Sequence, residues 1–414
     1  MSIANKAQTS RTFRSLRHRN YQLFFGANLF ANLGTWMQRI SQDWLVLELT
    51  GSGTILGIVT GLQFAPALFL SLPAGKLADK FNKRKILVGT NLIAGSAALT
   101  LGILVVTDLV VVWHILVLAF ILGIAGAVDA PVRQSFVPEL VGKEDLPNAV
   151  GLNSTNFNLA RLVGPAIAGV LIGAFGTGPA FFINAVTYPI VILSLVMMNR
   201  ATLIKRDLSN ADKSDSIRVA LAYVKGRKDI VATMLLVLLI GAFGFNFQVV
   251  TALMARVEFG LGASAFGMMG TMIALGTVTG AIIVARQRTH PKIDLVFKAG
   301  AIFGITEMFA SAMPTFWWFA AALPFCGLSA MIMMASANSF VQGTISDHLR
   351  GRVMGLYLMV FIGGSPFGSP IIGYIGQNLG ARWALFTGGA ICLVSVIALF
   401  LIFRKSIQPA ALAN

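Results

Sequence analysis

Acidic residues are scarce in this 414-residue chain: 16 Asp and Glu face 32 Lys and Arg, and charged residues make up only 12% of the whole. A soluble domain carries ~25% charged residues, so the composition is that of a membrane protein. Cysteine is nearly absent. Cys326 and Cys392 both lie in apolar runs, form neither a disulfide framework nor a metal spacing, and read as small hydrophobes. The four histidines (His18, His114, His290 and His348) are scattered, with no His–acid cluster, metal-ligand spacing or nucleophile turn. No enzyme, bound metal or cofactor is therefore expected. The opening stretch MSIANKAQTSRTFRSLRHRNYQ is polar and basic and has no cleavage pattern before the first apolar run, so no removable signal peptide is expected.

What the chain has in abundance is apolar length. It is 56% hydrophobic with 42 glycines, and its mean hydropathy is +0.78. Stretches long enough to cross ~30 Å of hydrocarbon recur throughout. They predict helical spans near 21–47, 54–74, 86–107, 111–130, 149–173, 179–198, 230–254, 264–285, 293–313, 316–338, 352–375 and 382–403. The expected fold class is all-α integral membrane, with twelve transmembrane helices.

The net charge of +16 is distributed unevenly. With the N-terminus in the cytoplasm, Lys6, Arg11, Arg14, Arg17 and Arg19 fall on that side. So do Lys76, Lys80, Lys83, Arg84 and Lys85 after the second span, and Arg286, Arg288 and Lys292 after the eighth. The segment 199–229 adds eight more cations, and the tail adds Arg404 and Lys405. The alternate loops TDLVV, GAFGTG and AMPT contain neither Lys nor Arg; Arg256 and Arg382 are the exceptions. This positive-inside bias places both termini in the cytoplasm. The basicity is a topology signal, with some attraction to anionic lipid, and calls for no nucleic acid.

The polar segment 199–229 separates two groups of six expected spans. With a shift of 204 residues, Gly151, Leu152, Gly164, Ile167, Gly169, Ala180 and Phe182 coincide with Gly355, Leu356, Gly368, Ile371, Gly373, Ala384 and Phe386. In both groups a polar loop precedes a glycine-rich span, a short turn and another apolar span. The expected organisation is a basic segment 1–20, a half 21–198, a linker 199–229, a half 230–403 and a tail 404–414. Repeated halves are the architecture of many secondary transporters and argue against a channel.

The loop after the second span reads GKLADKFNKRK, residues 75–85. Gly75, Leu77, Ala78, Asp79, Arg84 and Lys85 match, in place or nearly so, the signature Gly-x-Leu-Ala-Asp-Arg-x-Gly-Arg-Arg/Lys of the major facilitator superfamily, which the chain resembles. Asn82 replaces the second Gly; it is the other residue that tolerates positive φ. Gly75 would permit a tight exit from the span, and Asp79 could face a helix N-terminus. The resemblance implies that this loop, with Gly75, Asp79 and Arg84 in its gating motif, locks the two halves in an outward-open state, its acid facing the eleventh span and a basic residue pairing with an acid on the fourth span. Asp129, in AVDAPVRQSF, is the expected acid on the fourth span. In the fifth span, Gly151, Gly164, Pro165 and Gly169 resemble the antiporter motif of drug–proton exporters, with Ala160 and Ala168 where that motif has Gly. Small residues permit close helix approach, and Pro bends the helix; close packing without bearing on direction is the other reading. The stretches NYQLF, GTWMQRISQDWLVLELTGSG, LQFAPALFLSLPAGKLAD and APVRQSFVPELVGKEDLPNAVGLNS resemble the drug/siderophore export branch, which includes enterobactin exporters and macrolide-efflux proteins. That resemblance implies a monomeric secondary transporter of the plasma (inner) membrane, exporting a small amphipathic compound by proton antiport. A lysophospholipid flippase or an importer of related fold is the alternative.

One stretch of the first span, NLGTWMQRISQDW, is too polar for lipid contact. Asn28, Asn32, Thr35, Arg39, Gln42 and Asp43 recur at helical spacing and form one stripe, flanked by Trp36 and Gln38, while Leu29, Leu33, Met37, Ile40 and Trp44 occupy the opposite face. A buried charge in a membrane normally faces a protein interior or a water-filled cavity. In the family this span lines the pathway; a polar helix–helix contact is the other reading. With the span centred near residue 34, Arg39 lies ~7 Å and Asp43 ~13 Å outward. Four residues apart, they can pair, either as a proton-coupling site or as a static ion pair of an outer gate. Elsewhere Phe245, Asn246 and Gln248 of the seventh span, with neighbouring Phe243 and Phe247, would suit an amphipathic substrate or pack in a core. Met331, Met333 and Met334 of the tenth offer adaptable surface. Arg161 in the fifth span and Glu307 in the ninth are the other embedded charges, and only Arg161 is assigned to the pathway.

Overall fold

The computed structural model describes residues 12–204, 217–286 and 291–407, and among them every element is a helix. A 3₁₀ turn at Arg14–Arg17 leads into α1 (Arg19–Thr50), α2 (Gly53–Lys80) and α3 (Lys83–Val106). Then follow α4 (Val112–Phe175), α5 (Gly178–Met197), the short α6 (Ile217–Gly226), α7 (Lys228–Phe243) and α8 (Phe247–Leu253). The remainder is α9 (Ala263–Ala285), α10 (Ile293–Ser311), α11 (Phe316–Thr344), α12 (Asp347–Gly363), α13 (Ser365–Asn378) and α14 (Ala381–Ile407). Among the described residues, nine helical stretches are long and apolar enough to cross a bilayer. α1 is too rich in amides to be one of them. α10 carries Asp294, Lys298 and Glu307 within 19 residues and is not one either.

The expected fourth and fifth spans form a single run of 64 residues, because the supposed loop between them is helical. Val132, Phe136, Val137, Leu140 and Val141 recur at helical spacing and are buried together in a core with Tyr21, Phe24 and Leu87. The only non-helical residue in the run is Gly142, at φ 74° and ψ 179°, a conformation suited to glycine. The expected seventh and eleventh spans are each interrupted. α7 gives way to α8 across Gly244–Asn246, and a π-helical turn Met254–Glu258 follows. α12 gives way to α13 at Gly364, where a Cβ would lie 2.6 Å from the Ala242 nitrogen of α7. Backbone contact of this kind requires glycine.

The contacts divide the chain into two compact units: the first comprises residues up to 45 and 69–213, the second 46–68 and from 214 onwards. The boundary falls inside α1 and α2, so the first part of α2 packs with the second unit. There Gly53, Gly57 and Gly61, one helical turn apart, lie against Gly373, Ser369 and Pro366 of α13. A Cβ at Gly53 would sit 2.8 Å from the Gly373 carbonyl oxygen, and one at Gly57 would overlap the Ser369 carbonyl. The second unit's core gathers Leu236, Val237, Ile240, Phe303, Met333, Tyr357 and Cys392. Large apolar side chains such as Phe69, Val186, Trp317, Trp318 and Ile402 point outward, as a lipid-facing surface requires.

Candidate functional site

In the first unit the polar face of α1 is held against the second part of α4 and against α5 by close contacts. Gly164 is packed so tightly that a Cβ would lie 2.6 Å from the Cβ of Trp36, and the Trp36 ring meets Phe157 edge-on at 5.8 Å. Gly34 approaches Asn184, whose amide donates to Gln38 Oε1 at 2.5 Å. Gln38 is thus a helix–helix contact. Trp36 stands between two cations: the Arg39 guanidinium carbon is 5.3 Å from its ring centre and that of Arg161 is 5.8 Å. Trp36, Arg39 and Arg161 are partly exposed, whereas Gln42 and Asp43 are 1% and 2% exposed. Arg39 and Asp43 interact electrostatically, and the two arginines act on each other as like charges. Asp43 Oδ2, Gln42 Nε2, Ser41 Oγ and both amide atoms of Asn156 on α4 are buried without a hydrogen-bond partner. Orphaned polar atoms at this density call for an explanation.

Asn32 is partly exposed on the same face. Asn28 is not available to a substrate: it is buried, and its Oδ1 accepts a hydrogen bond from Arg133. Arg133 in turn forms a two-pronged pair with Asp129, at 2.6 and 3.0 Å, while Thr90 and Asn91 donate to Asp129 Oδ1 at 2.9 and 3.1 Å. Asp129, the acid expected to pair with a basic residue of the loop, is instead bound by Arg133 on its own helix and by Thr90 and Asn91 on α3. Arg84 donates to the carbonyls of Val196 and Met198 at 2.7 and 3.4 Å, capping α5. The ion pair from the loop to α4 is made by Lys83 and Glu139, 2.6 Å apart.

Two further details of that loop differ from expectation. α2 continues to Lys80, so Gly75 lies within a helix, with open space where its Cβ would be, and provides no tight exit. Asn82 has φ −66° and serves as the N-cap of α3, accepting from the Lys85 amide at 3.2 Å. Asp79 is exposed on the last turn of α2. Within α4, a Cβ at Gly151 would meet nothing within 4 Å, while Gly164, Pro165 and Gly169 are buried.

The N-terminal turn is clamped to the first unit by a cluster the sequence reading did not assign. Asp145 is fully buried, with Arg14 Nε at 2.6 Å, Arg17 at 2.9 Å and His18 Nε2 at 2.7 Å. Burial pushes the Asp145 carboxyl up. The hydrogen bond from His18 and the charges of Arg17 and Arg14 outweigh that and hold it below the ordinary carboxylate range.

In the second unit, Asn246 is a structural residue. It is buried at the α7–α8 break, donates to the Ala242 carbonyl at 2.6 Å and accepts from the Ser369 hydroxyl at 2.6 Å. Phe245 packs against Phe303 and Phe361 at 5.4 and 5.9 Å. Of this trio only Gln248 has a spare group, a buried Nε2 without partner. Glu307, left out of the expected pathway, is 1% exposed with Oε2 unpartnered beside Gly388.

Nearly the whole chain, residues 10–412, matches the family described as transmembrane secretion effector. The chain belongs to this family of the major facilitator superfamily. It is 27% identical over 392 residues to a staphyloferrin A transporter of Staphylococcus aureus, covering 92% of this chain and 96% of that one. It is 25% identical to the multidrug efflux pump Tap of Mycobacterium tuberculosis over 85% of each chain. With macrolide efflux protein A of Streptococcus pyogenes it shares 22% identity over 84% of this chain and 88% of the other. The fold is shared with an inward-facing bacterial homologue of the lysosomal transporter Spinster, at TM-score 0.74 and 13% identity, over 96% of this chain and 99% of that one. This is a multi-pass membrane transporter of efflux type, not an enzyme.

Proposed function

We propose that this transporter resides in the plasma (inner) membrane as a monomer and exports a small amphipathic organic compound, a drug or a siderophore, in exchange for protons. Its halves, 21–198 and 230–403, alternate access to the substrate, and both termini and the 199–229 linker face the cytoplasm. The observation that carries the reading is the polar face of α1, where Arg39 and Trp36 remain reachable while Asp43 is buried with an unpaired oxygen. The relatives' named roles, siderophore transport and drug efflux, point the same way. Two buried acids suit the proton's part: Asp43 in the first unit and Glu307 in the second. A charge held in a low-dielectric interior is costly, so such an acid takes up and loses its proton as its surroundings open and close.

The test is purified protein in proteoliposomes with substrate at equal concentration inside and outside. An inward-directed proton gradient should drive substrate out against its own gradient, and a protonophore should abolish the accumulation. Substrate movement indifferent to the gradient would exclude antiport. Topology is checked with single cysteines and an impermeant reagent: labelling at residue 212, which lies outside the described residues, in intact cells would invert the assignment.

A further inference from the structure

The charges around Trp36 do not cancel. Arg39 and Asp43 offset each other on α1, but Arg161, in the middle of the expected fifth span, contacts the Trp36 ring and makes no ion pair with any described carboxylate. The neighbouring charges of this unit are committed elsewhere: Asp129 to Arg133, Glu139 to Lys83, and Asp145 to Arg14 and Arg17. An isolated arginine deep in a membrane protein is expensive unless a counter-charge or water meets it. Here it is partly exposed, beside a second guanidinium that repels it and an aromatic face 5.8 Å away. A closed structural role would have supplied a carboxylate. An open one suits a ligand that brings its own.

Resting on the export reading above, we infer that the substrate is an organic anion whose carboxylate is held by Arg161, with Arg39 as the second cation and Trp36 covering an apolar or planar part of the molecule. Guanidinium presents paired N–H groups that match the two oxygens of a carboxylate. The indole between the cations supplies contact area without a competing charge. Cationic drugs are disfavoured by the same field. The inference has a consequence for coupling. A bound anion and a protonated Asp43 stabilise one another, so the proton exchanged against substrate leaves from an acid outside this cluster, and Glu307 is the buried acid of the second unit that fits.

The experiment uses the full chain in nanodiscs of zwitterionic lipid and three fluorescent probes of one shape: pyrenebutyrate, pyrenebutyramide and pyrenebutyl-trimethylammonium. Wild type should bind the anion at least ~10-fold tighter than the amide, as expected for a charge-assisted pair, and the cation weakest. Arg161→Gln should bring the anion-to-amide affinity ratio down towards one. Arg161→Lys keeps the charge but not the fork, and should retain the order with a reduced ratio. Wild type showing no preference for the anion, an unchanged anion-to-amide ratio in Arg161→Gln, or a Lys variant identical to wild type would each overturn the assignment. Export is read separately in proteoliposomes. Anion binding without transport removes the export reading and leaves the site; transport without anion preference does the reverse.

Discussion

The contact between α2 and α13 gives a steric prediction that can be worked from the backbone. Gly57 faces the Ser369 carbonyl and Pro370, and the atoms a Cβ would meet are all main chain: Ser369 oxygen, Ser369 carbon at 2.8 Å and Pro370 Cα at 2.9 Å. No side chain can rotate away, so even Gly57→Ala must push two helices apart. Overpacking of this kind costs ~1–3 kcal/mol, and Gly57→Val should exceed Gly57→Ala. If the two helices stay together throughout transport, both variants lower thermal stability and leave the ratio of conformations unchanged. If the contact opens during the cycle, the strain is relieved in the open state, and ~1–3 kcal/mol shifts the equilibrium ~5- to 150-fold towards it. Paired spin labels on residues 54 and 374, with melting followed in detergent, distinguish the two. Gly75→Ala is the control, because a Cβ there meets nothing within 4 Å. A Gly57→Val protein with the wild-type melting temperature, label distance and export rate would show that the helices do not approach as described.

The Asp145 clamp predicts a pH effect. Because its carboxyl is held low in the folded protein, its stabilisation is fully present above the unfolded value of ~3.9 and is lost as pH falls through the folded value. Wild type should lose stability in acid more steeply than Asp145→Asn, and parallel curves would refute this; at neutral pH the variant should be weaker by ~3 kcal/mol, the low end for a broken buried pair, since Arg14 and Arg17 are 45% and 43% exposed. A double-mutant cycle on Lys83→Gln and Glu139→Gln should return a coupling of ~1 kcal/mol in stability, and additive losses would mean the pair contributes nothing. For coupling, Glu307→Gln should leave substrate exchange intact and abolish accumulation driven by a proton gradient. Asp43→Asn should retain gradient-driven export at reduced rate; the opposite pattern would move the proton to Asp43.

Sequence alone determined the membrane class, because lipid demands long apolar stretches whatever they pack against. It also determined the family, because the GKLADKFNKRK loop and the polar stripe of α1 are local patterns with fixed spacing. The polar or charged character of Trp36, Arg39 and Asp43 on that stripe, and of Arg161 in the expected fifth span, was legible from the sequence alone. Partner choice was not legible. Whether Asp129 would pair with a basic residue of the loop or with Arg133, and whether Asn246 would meet a substrate or Ser369, depends on which helices lie side by side, and several partners suited each group equally. The breaks at Gly244–Asn246 and Gly364 were hidden because glycine is common in membrane helices, and only backbone contact across α7, α12 and α13 makes a break necessary. The Gly53, Gly57, Gly61 spacing stood in the sequence all along, but its meaning required the helix opposite it. Tertiary structure decided, above all, which charges were left without a partner: an unpaired Arg161 is a statement about its surroundings, which no single stretch of sequence contains.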